Sequence, residues 1–242
     1  MRIFRFLFLA ASVMAFAPGI HAKSAQDSLA ILPQDRLGEA WWQKRWTEKK
    51  ALAARGGWEV VLIGDSITQG WEAKGKAAWA KYLEPRKALA LGYGGDRTEH
   101  VLWRLDNGEI DGLRPKAVVI MVGTNNTGHR KDPPDAIAAG VRAILDRVRK
   151  KAPEAKILLL AIFPRGANRE DPLRVNNDAA NQILKTFEDG RYVFFADIGE
   201  RFLGPDGSLS KEVMPDLLHL NEASYDVWGA ELERPLKEKL GL

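Results

Sequence analysis

The sequence predicts an α/β fold, a three-layer sandwich in which a parallel sheet of about five strands lies between two layers of helices. Three observations predict it. From residue 58 onward, short apolar runs alternate with segments of helical periodicity, the pattern of repeated βαβ units. Two of the runs, residues 116–122 (Lys-Ala-Val-Val-Ile-Met-Val) and 156–162 (Lys-Ile-Leu-Leu-Leu-Ala-Ile), are almost continuously apolar. Such runs suit strands covered on both faces. The first three runs each stop at a glycine-bearing turn: Gly64-Asp65-Ser66, Gly92-Tyr93-Gly94-Gly95-Asp96 and Gly123-Thr124-Asn125-Asn126.

Residues 1–22 read as a segment to be removed. Arg2 and Arg5 give a positive start, Phe6 to Phe16 is largely apolar, and Gly19-Ile20-His21-Ala22 offers small residues before a cut. That is the layout of a secretory signal peptide, and the run is too short for a stable membrane span. Cleavage after Ala22 would leave residues 23–242 as one domain with an N-terminal helical extension, secreted or periplasmic. Loss of Arg2 and Arg5 takes two charges from a formal net charge of +4. The basicity is therefore no argument for a nucleic-acid partner. The chain has no cysteine. An exported chain without cysteine has no disulfides and cannot work through a thiol or a thiolate–metal centre.

Residues 23–34 read as a loose leader. Arg36 to Arg55 has helical composition, with Trp41, Trp42 and Trp46 on one broad face and Gly56-Gly57 as the stop. The tryptophan face packs on a core or, alternatively, offers a sugar platform. Strands are then expected at 58–63, 87–92, 116–122, 156–162 and 191–196. Helices are expected at 74–83, 97–106, 134–150, 173–188 and 222–239. No strand is followed by Gly-x-Gly-x-x-Gly, which argues against a dinucleotide cofactor.

In an open parallel sheet, ligands bind beyond the carboxyl ends of the strands. Topology alone therefore brings the three glycine-bearing turns to one edge. They supply a hydroxyl, a flexible backbone and a side-chain amide, the parts of acyl transfer. Ser66 would attack a carbonyl. The N–H groups of Ser66 and Gly95, with the Asn125 amide, would hold the developing oxyanion. A serine hydroxyl needs a base, and there are four histidines. His21 leaves with the signal, His100 falls inside a predicted helix, and His129 follows the Asn125 turn. Only His219 has an aspartate three residues earlier, Asp216, which a local turn would place at Nδ1. Each of these signals is weak alone. Their order, at successive strand ends, is what chance does not readily supply.

With these blocks in view, the chain resembles the SGNH hydrolases, also called the GDSL esterase/lipase family. The matching residues are Ile63-Gly64-Asp65-Ser66-Ile67-Thr68, Gly94-Gly95-Asp96, Gly123-Thr124-Asn125-Asn126 and Asp216-x-x-His219. His100-Val101-Leu102-Trp103-Arg104-Leu105, Pro164-Arg165-Gly166 and Asp216-Leu217-Leu218-His219-Leu220 resemble the subgroup of platelet-activating-factor acetylhydrolase catalytic subunits. The resemblance implies a flavodoxin-like sandwich from about residue 58 to the end. It implies Ser66 as nucleophile and first oxyanion donor, Gly95 and Asn125 as the other donors, His219 as base and Asp216 as its partner. No metal or organic cofactor is implied. The Gly-x-Ser-x-Gly turn of α/β-hydrolases is absent around Ser66.

Other residues near the edge carry smaller expectations. Asp65 braces its loop rather than reacts. Asp96 and Arg97 order the second loop. Arg165 either touches substrate or is an ordinary loop cation, and Trp71 either walls a pocket or packs. The expected activity is that of a secreted serine esterase acting on short acyl groups, acetyl above all, on a carbohydrate. The alternatives are a phospholipid-directed acetylhydrolase or lysophospholipase, a non-catalytic carbohydrate-binding module, and a flavodoxin-like nucleotide binder. The last lacks a phosphate loop.

Overall fold

A computed structural model describes residues 29–242; the expected signal peptide lies outside them. Five strands form one parallel sheet: β1 (Val60–Gly64), β2 (Ala88–Gly92), β3 (Ala117–Met121), β4 (Lys156–Leu160) and β5 (Val193–Ala196), in the spatial order β2-β1-β3-β4-β5. Among the described residues the α-helices of four residues or more are α1 (Ala40–Ala53), α2 (Ser66–Gln69), α3 (Lys76–Tyr82), α4 (Thr98–Asp106), α5 (Pro134–Lys151), α6 (Pro172–Lys185) and α7 (Glu222–Glu238). All five expected strands and all six longer helices occur, with ends shifted by a few residues. The chain order reverses direction at β1, which lies between β2 and β3. The crevice of such a sheet opens at that reversal.

The apolar runs separate into two cores because alternate side chains leave opposite faces. Val61, Ile63, Leu89, Leu91, Val118, Ile120, Ile157 and Leu159 face one way, against Leu105 of α4, Ile144 of α5 and Leu184 of α6. Val60, Leu62, Val119, Met121, Leu158 and Leu160 face the other, against Trp71, Ala78 of α3, and Trp228, Leu232 and Leu236 of α7. Each helix contributes one apolar stripe, so both faces of the sheet are dry. That is why β1 to β3 show no polar alternation.

A third cluster fixes the N-terminal extension. Trp42 and Trp46 of α1 are buried with Tyr93, and Trp103 packs against them. The ring centroids of Trp42 and Tyr93 are 5.6 Å apart, an ordinary aromatic contact. These two tryptophans are core, whereas Trp41 remains 45% exposed. The described part of the expected loose leader is not loose. Ala30 is buried and its carbonyl accepts from Thr98 Oγ1 at 2.8 Å, while the Gln34 N–H donates to the Glu99 carbonyl at 3.1 Å. The segment before α1 is tied to α4 by backbone polar groups, which composition alone does not reveal.

Candidate active site

The register of the sheet sets Gly64 of β1 beside Gly92 of β2 and Met121 of β3. The three glycine-bearing turns therefore leave one edge side by side. After Gly64 the chain turns at once into α2, with Asp65 as its N-cap: Asp65 Oδ1 accepts from the Ile67 N–H at 3.0 Å. The Tyr225 hydroxyl donates to the Ile67 carbonyl at 2.6 Å, pinning the same turn from α7. At Gly92 a Cβ would stand 2.2 Å from the Gln69 backbone nitrogen, so only glycine lets α2 close onto β2.

Ser66 Oγ lies 2.8 Å from His219 Nε2, and His219 Nδ1 lies 2.6 Å from Asp216 Oδ2. The aspartate reaches back as expected. Its other oxygen accepts from the Leu218 and His219 N–H groups at 3.1 and 2.7 Å, closing a tight turn in which Leu217 takes φ +59°. Partial burial pushes the Asp216 carboxyl up, but the His219 ring and these backbone donors outweigh it and hold it below the usual carboxylate value. The ionised carboxylate accepts the Nδ1 proton and leaves Nε2 to accept from the serine.

Across the cleft, Tyr93-Gly94-Gly95-Asp96 is a β-turn closed by Asp96 N–H to Tyr93 O at 3.1 Å. Gly95 has φ +72°, so glycine is favoured there. Asn125, almost fully buried, donates from Nδ2 to the Asp96 carbonyl at 3.0 Å. The second Nδ2 hydrogen is left for another acceptor. Asn126 does structural work beside it, accepting from the Thr98 N–H and donating to Thr98 Oγ1, both at 3.0 Å.

Behind this turn sits a buried charge cluster. Asp96 accepts from Arg36 Nη1 and Trp42 Nε1 through one oxygen, at 2.9 and 2.8 Å, and from Arg104 Nε through the other at 2.9 Å. Burial pushes Asp96 up to about 6, against the pull of Arg104, Trp42 and Arg36. Arg104 Nη2 reaches the Gly64 carbonyl at 3.2 Å, joining the turn after β2 to the end of β1. Asp65, fully buried, is pushed up to about 7 by desolvation, against its backbone donor and the nearby His219.

The other two described histidines are not in this arrangement. His100 accepts from the Arg97 N–H at 3.0 Å, and burial with the surrounding arginines pushes it down to about 2. His129 stands near Gly95, with Cε1 3.6 Å from where a Cβ on Gly95 would lie. Burial, and then Arg97, Arg36, Arg165 and Arg130, keep it below the ordinary imidazole value.

Of the two alternatives for Trp71, the structure shows packing. The residue is 0% exposed and packs on Trp228 and Tyr225 at ring distances of 4.7 and 4.9 Å. Trp71 lies in the 3-10 turn Gly70–Glu72 that continues directly from α2, and its indole joins the core cluster on that face of the sheet. Arg165, half-buried, donates from Nη1 to the carbonyl and hydroxyl of Thr124 at 2.9 and 3.1 Å and so braces the turn that carries Asn125. Sequence reasoning missed Gln69, whose Oε1 accepts from the Gly94 N–H at 2.7 Å, and Arg36, which holds the same turn from the segment just before α1. Gln69 sits three residues after Ser66 and its proximity was a usable signal. Arg36, 58 residues from Gly94, had none.

A doubly covered parallel sheet with serine, histidine and aspartate in hydrogen-bond relay at its carboxyl edge defines a serine-hydrolase class of protein. Comparison with known proteins narrows the class. The profile of the GDSL-like lipase/acylhydrolase family matches residues 62–227, and the chain belongs to that family. It is 39% identical over 168 residues to the platelet-activating factor acetylhydrolase IB subunit alpha1 of Bos taurus, covering 69% of this chain and 70% of that one. It is 38% identical over 181 residues to the alpha2 subunit of Rattus norvegicus, covering 74% and 75%. Among solved structures it shares its fold with a GDSL-like lipase from Bacteroides thetaiotaomicron (TM-score 0.61, 18% identity, 81% of this chain and 97% of that one). It also shares it with an acetylxylan esterase from Geobacillus stearothermophilus (TM-score 0.55, 18% identity, 77% and 95%). The protein is a carboxylic ester hydrolase of the GDSL type.

Proposed function

We propose that this esterase works through an acyl-enzyme on Ser66 and that its substrates are short acyl esters, acetyl above all, of a carbohydrate met outside the cytoplasm. The observation that carries the mechanism is the relay itself, Ser66 Oγ to His219 Nε2 at 2.8 Å with Asp216 behind at 2.6 Å. Ser66 attacks the ester carbonyl while His219 takes its proton. The carbonyl oxygen becomes an oxyanion held by the N–H groups of Ser66 and Gly95 and by the Asn125 amide. Collapse expels the alcohol, which takes the proton from His219. Water then attacks the acyl-serine with His219 again as base, and the acid leaves with Ser66 restored.

The substrate class rests on three supports. A cleft of about 510 Å³ beside Gly95, on the Arg36 side of that turn and not itself lined by Ser66, Asn125 or His219, carries polar groups, among them Gln34, Asp35, Arg36, Glu39 and His129. Polar lining suits a polyhydroxylated alcohol better than a lipid tail. Among the names of the relatives and fold neighbours, acetylhydrolase and acetylxylan esterase denote release of acetate, while another neighbour is called a GDSL-like lipase. The leader sequence supports export, with cleavage after Ala22, and N-terminal sequencing of the mature protein tests that. The identity to acetylhydrolase subunits favours a second reading, a phospholipid-directed acetylhydrolase. One experiment decides between them. Purified protein is given acetylated xylo-oligosaccharides, a platelet-activating-factor-type ether phospholipid, lysophospholipids and a chain-length series of p-nitrophenyl esters. Acetate release from the sugars, with activity falling beyond about eight carbons, supports the first reading. Turnover of the phospholipids alone, or a long-chain optimum, overturns it. A fluorophosphonate probe should label Ser66 and spare Ser66→Ala.

A further inference from the structure

We infer that Arg36, from the segment preceding the family-matched region, is a positioning residue that locks the Gly94–Gly95 peptide in the orientation that makes Gly95 an oxyanion donor. The inference rests on the acyl-enzyme reading above. Gly94 and Gly95 are the central residues of the β-turn after β2. Only the second has a positive φ, +72°, the signature of a type II turn. Type I differs from type II by about 150° in ψ at the first central residue and about 170° in φ at the second, a flip of the peptide between them. Most sequences resist one of the two forms. With glycine at both positions, each is sterically open.

What distinguishes the two forms is where the Gly94 carbonyl points. A trans peptide is planar, so its C=O and N–H point in opposite directions. The Gly94 carbonyl and the Gly95 N–H belong to the same peptide. Arg36 Nη1 donates to that carbonyl at 2.6 Å. Holding the oxygen therefore aims the N–H to the opposite side. Among the described residues no protein acceptor takes the Gly95 N–H, which leaves it for a substrate. The latch is itself anchored. Arg36 Nε and Nη2 donate to the two oxygens of Glu39 at 2.8 and 2.9 Å, and Nη1 also reaches Asp96 Oδ1 at 2.9 Å. A planar guanidinium with all three nitrogens held has little freedom left. Gln69 fixes the neighbouring Gly94 N–H but not the peptide that flips.

Arg36→Ala is measured with p-nitrophenyl acetate. Loss of one oxyanion donor predicts kcat down by about a hundredfold, KM within about threefold, and fluorophosphonate labelling of Ser66 slowed to a similar degree. Added guanidinium ion should restore part of kcat, and Arg36→Lys, which keeps a charge and a donor, should fall between wild type and alanine. A folded Arg36→Ala protein with kcat within threefold of wild type overturns the inference. So does a loss of activity that follows the folded fraction and is not rescued by guanidinium. If the alanine variant does not fold, Arg36→Gln is judged by the same two criteria. Wild-type protein that the probe fails to label at Ser66 overturns the acyl-enzyme reading and the latch with it. Labelled wild type with indifferent Arg36 variants overturns the latch alone.

Discussion

The two walls of the cleft are built on opposite principles. The wall proposed to hold the oxyanion is dry and densely bonded: Asp65, Asp96, Asn126 and Arg104 are buried, and each is tied to backbone or to a partner charge. The base wall is open. The side chains of His219 and Asp216 are 42% and 56% exposed, and the dyad is held mainly by its own short turn. The difference follows from what each wall does. An oxyanion donor is effective only if it is already aimed before charge develops, and burial secures the aim. A base must exchange protons and let water reach the acyl-enzyme, and an exposed turn allows that. Rigidity is spent where orientation carries the chemistry.

Substitutions test this contrast. The largest effect is expected at His219. His219→Ala should lower kcat by about 10⁴–10⁶ yet leave the thermal midpoint within a degree or two, because the side chain is exposed. Activity and calorimetry on one preparation check both halves, and a large fall in midpoint would deny the open-wall description. Asn125→Ala comes next, with kcat down about 10²–10³ and a smaller change in KM. Unlike the histidine, it should also destabilise, since the Asp96 carbonyl loses its donor. A raised KM at unchanged kcat would make Asn125 a ground-state contact instead. Asp96→Ala should cost about 3–5 kcal/mol in stability, the usual result of leaving buried charges without their partner. Denaturant unfolding reads it directly.

The pH dependence of stability offers a further contrast, because there the walls have opposite signs. The native state pushes Asp65 up to about 7 from 3.8. The folded protein then keeps a proton that the unfolded chain has released. This contribution is present below about pH 4 and is lost as pH rises to about 7. Asp216 is held low, so its contribution is present above the unfolded value and is lost as acid protonates the folded carboxylate. Asp65→Asn keeps an oxygen for the Ile67 N–H and should flatten the decline between pH 4 and 7. An unchanged slope in that variant would mean that Asp65 is ionised throughout.

The architecture was legible in the sequence because it is written in period and punctuation. Apolar runs of strand length, doubly covered, leave a continuous pattern, and the first three end at a glycine-bearing turn, with close packing at Gly64 and Gly92. Asp216 and His219 were legible as a pair because their contact is local. What escaped is non-local or small in sequence. Trp71, five positions after Ser66, left two alternatives open in the sequence, a pocket wall or packing, and only the fold shows it buried in the core. Residues 29–34 look loose because their anchors are backbone groups, and Arg36 just beyond them has partners 58 and 60 positions away. Only long-range packing on the tryptophan cluster brings them together.

The relay between Ser66 and His219 spans 153 positions of sequence, from the first strand to the turn that precedes the last helix. During synthesis the serine leaves the ribosome long before its base exists. Until the later strands and helices have docked, its hydroxyl is as unreactive as any other alcohol. The growing chain therefore cannot acylate itself or hydrolyse the esters around it. Esterase turnover marks the moment at which nearly the whole polypeptide has folded, and a simple colour assay with p-nitrophenyl acetate then doubles as a clock for the completion of folding.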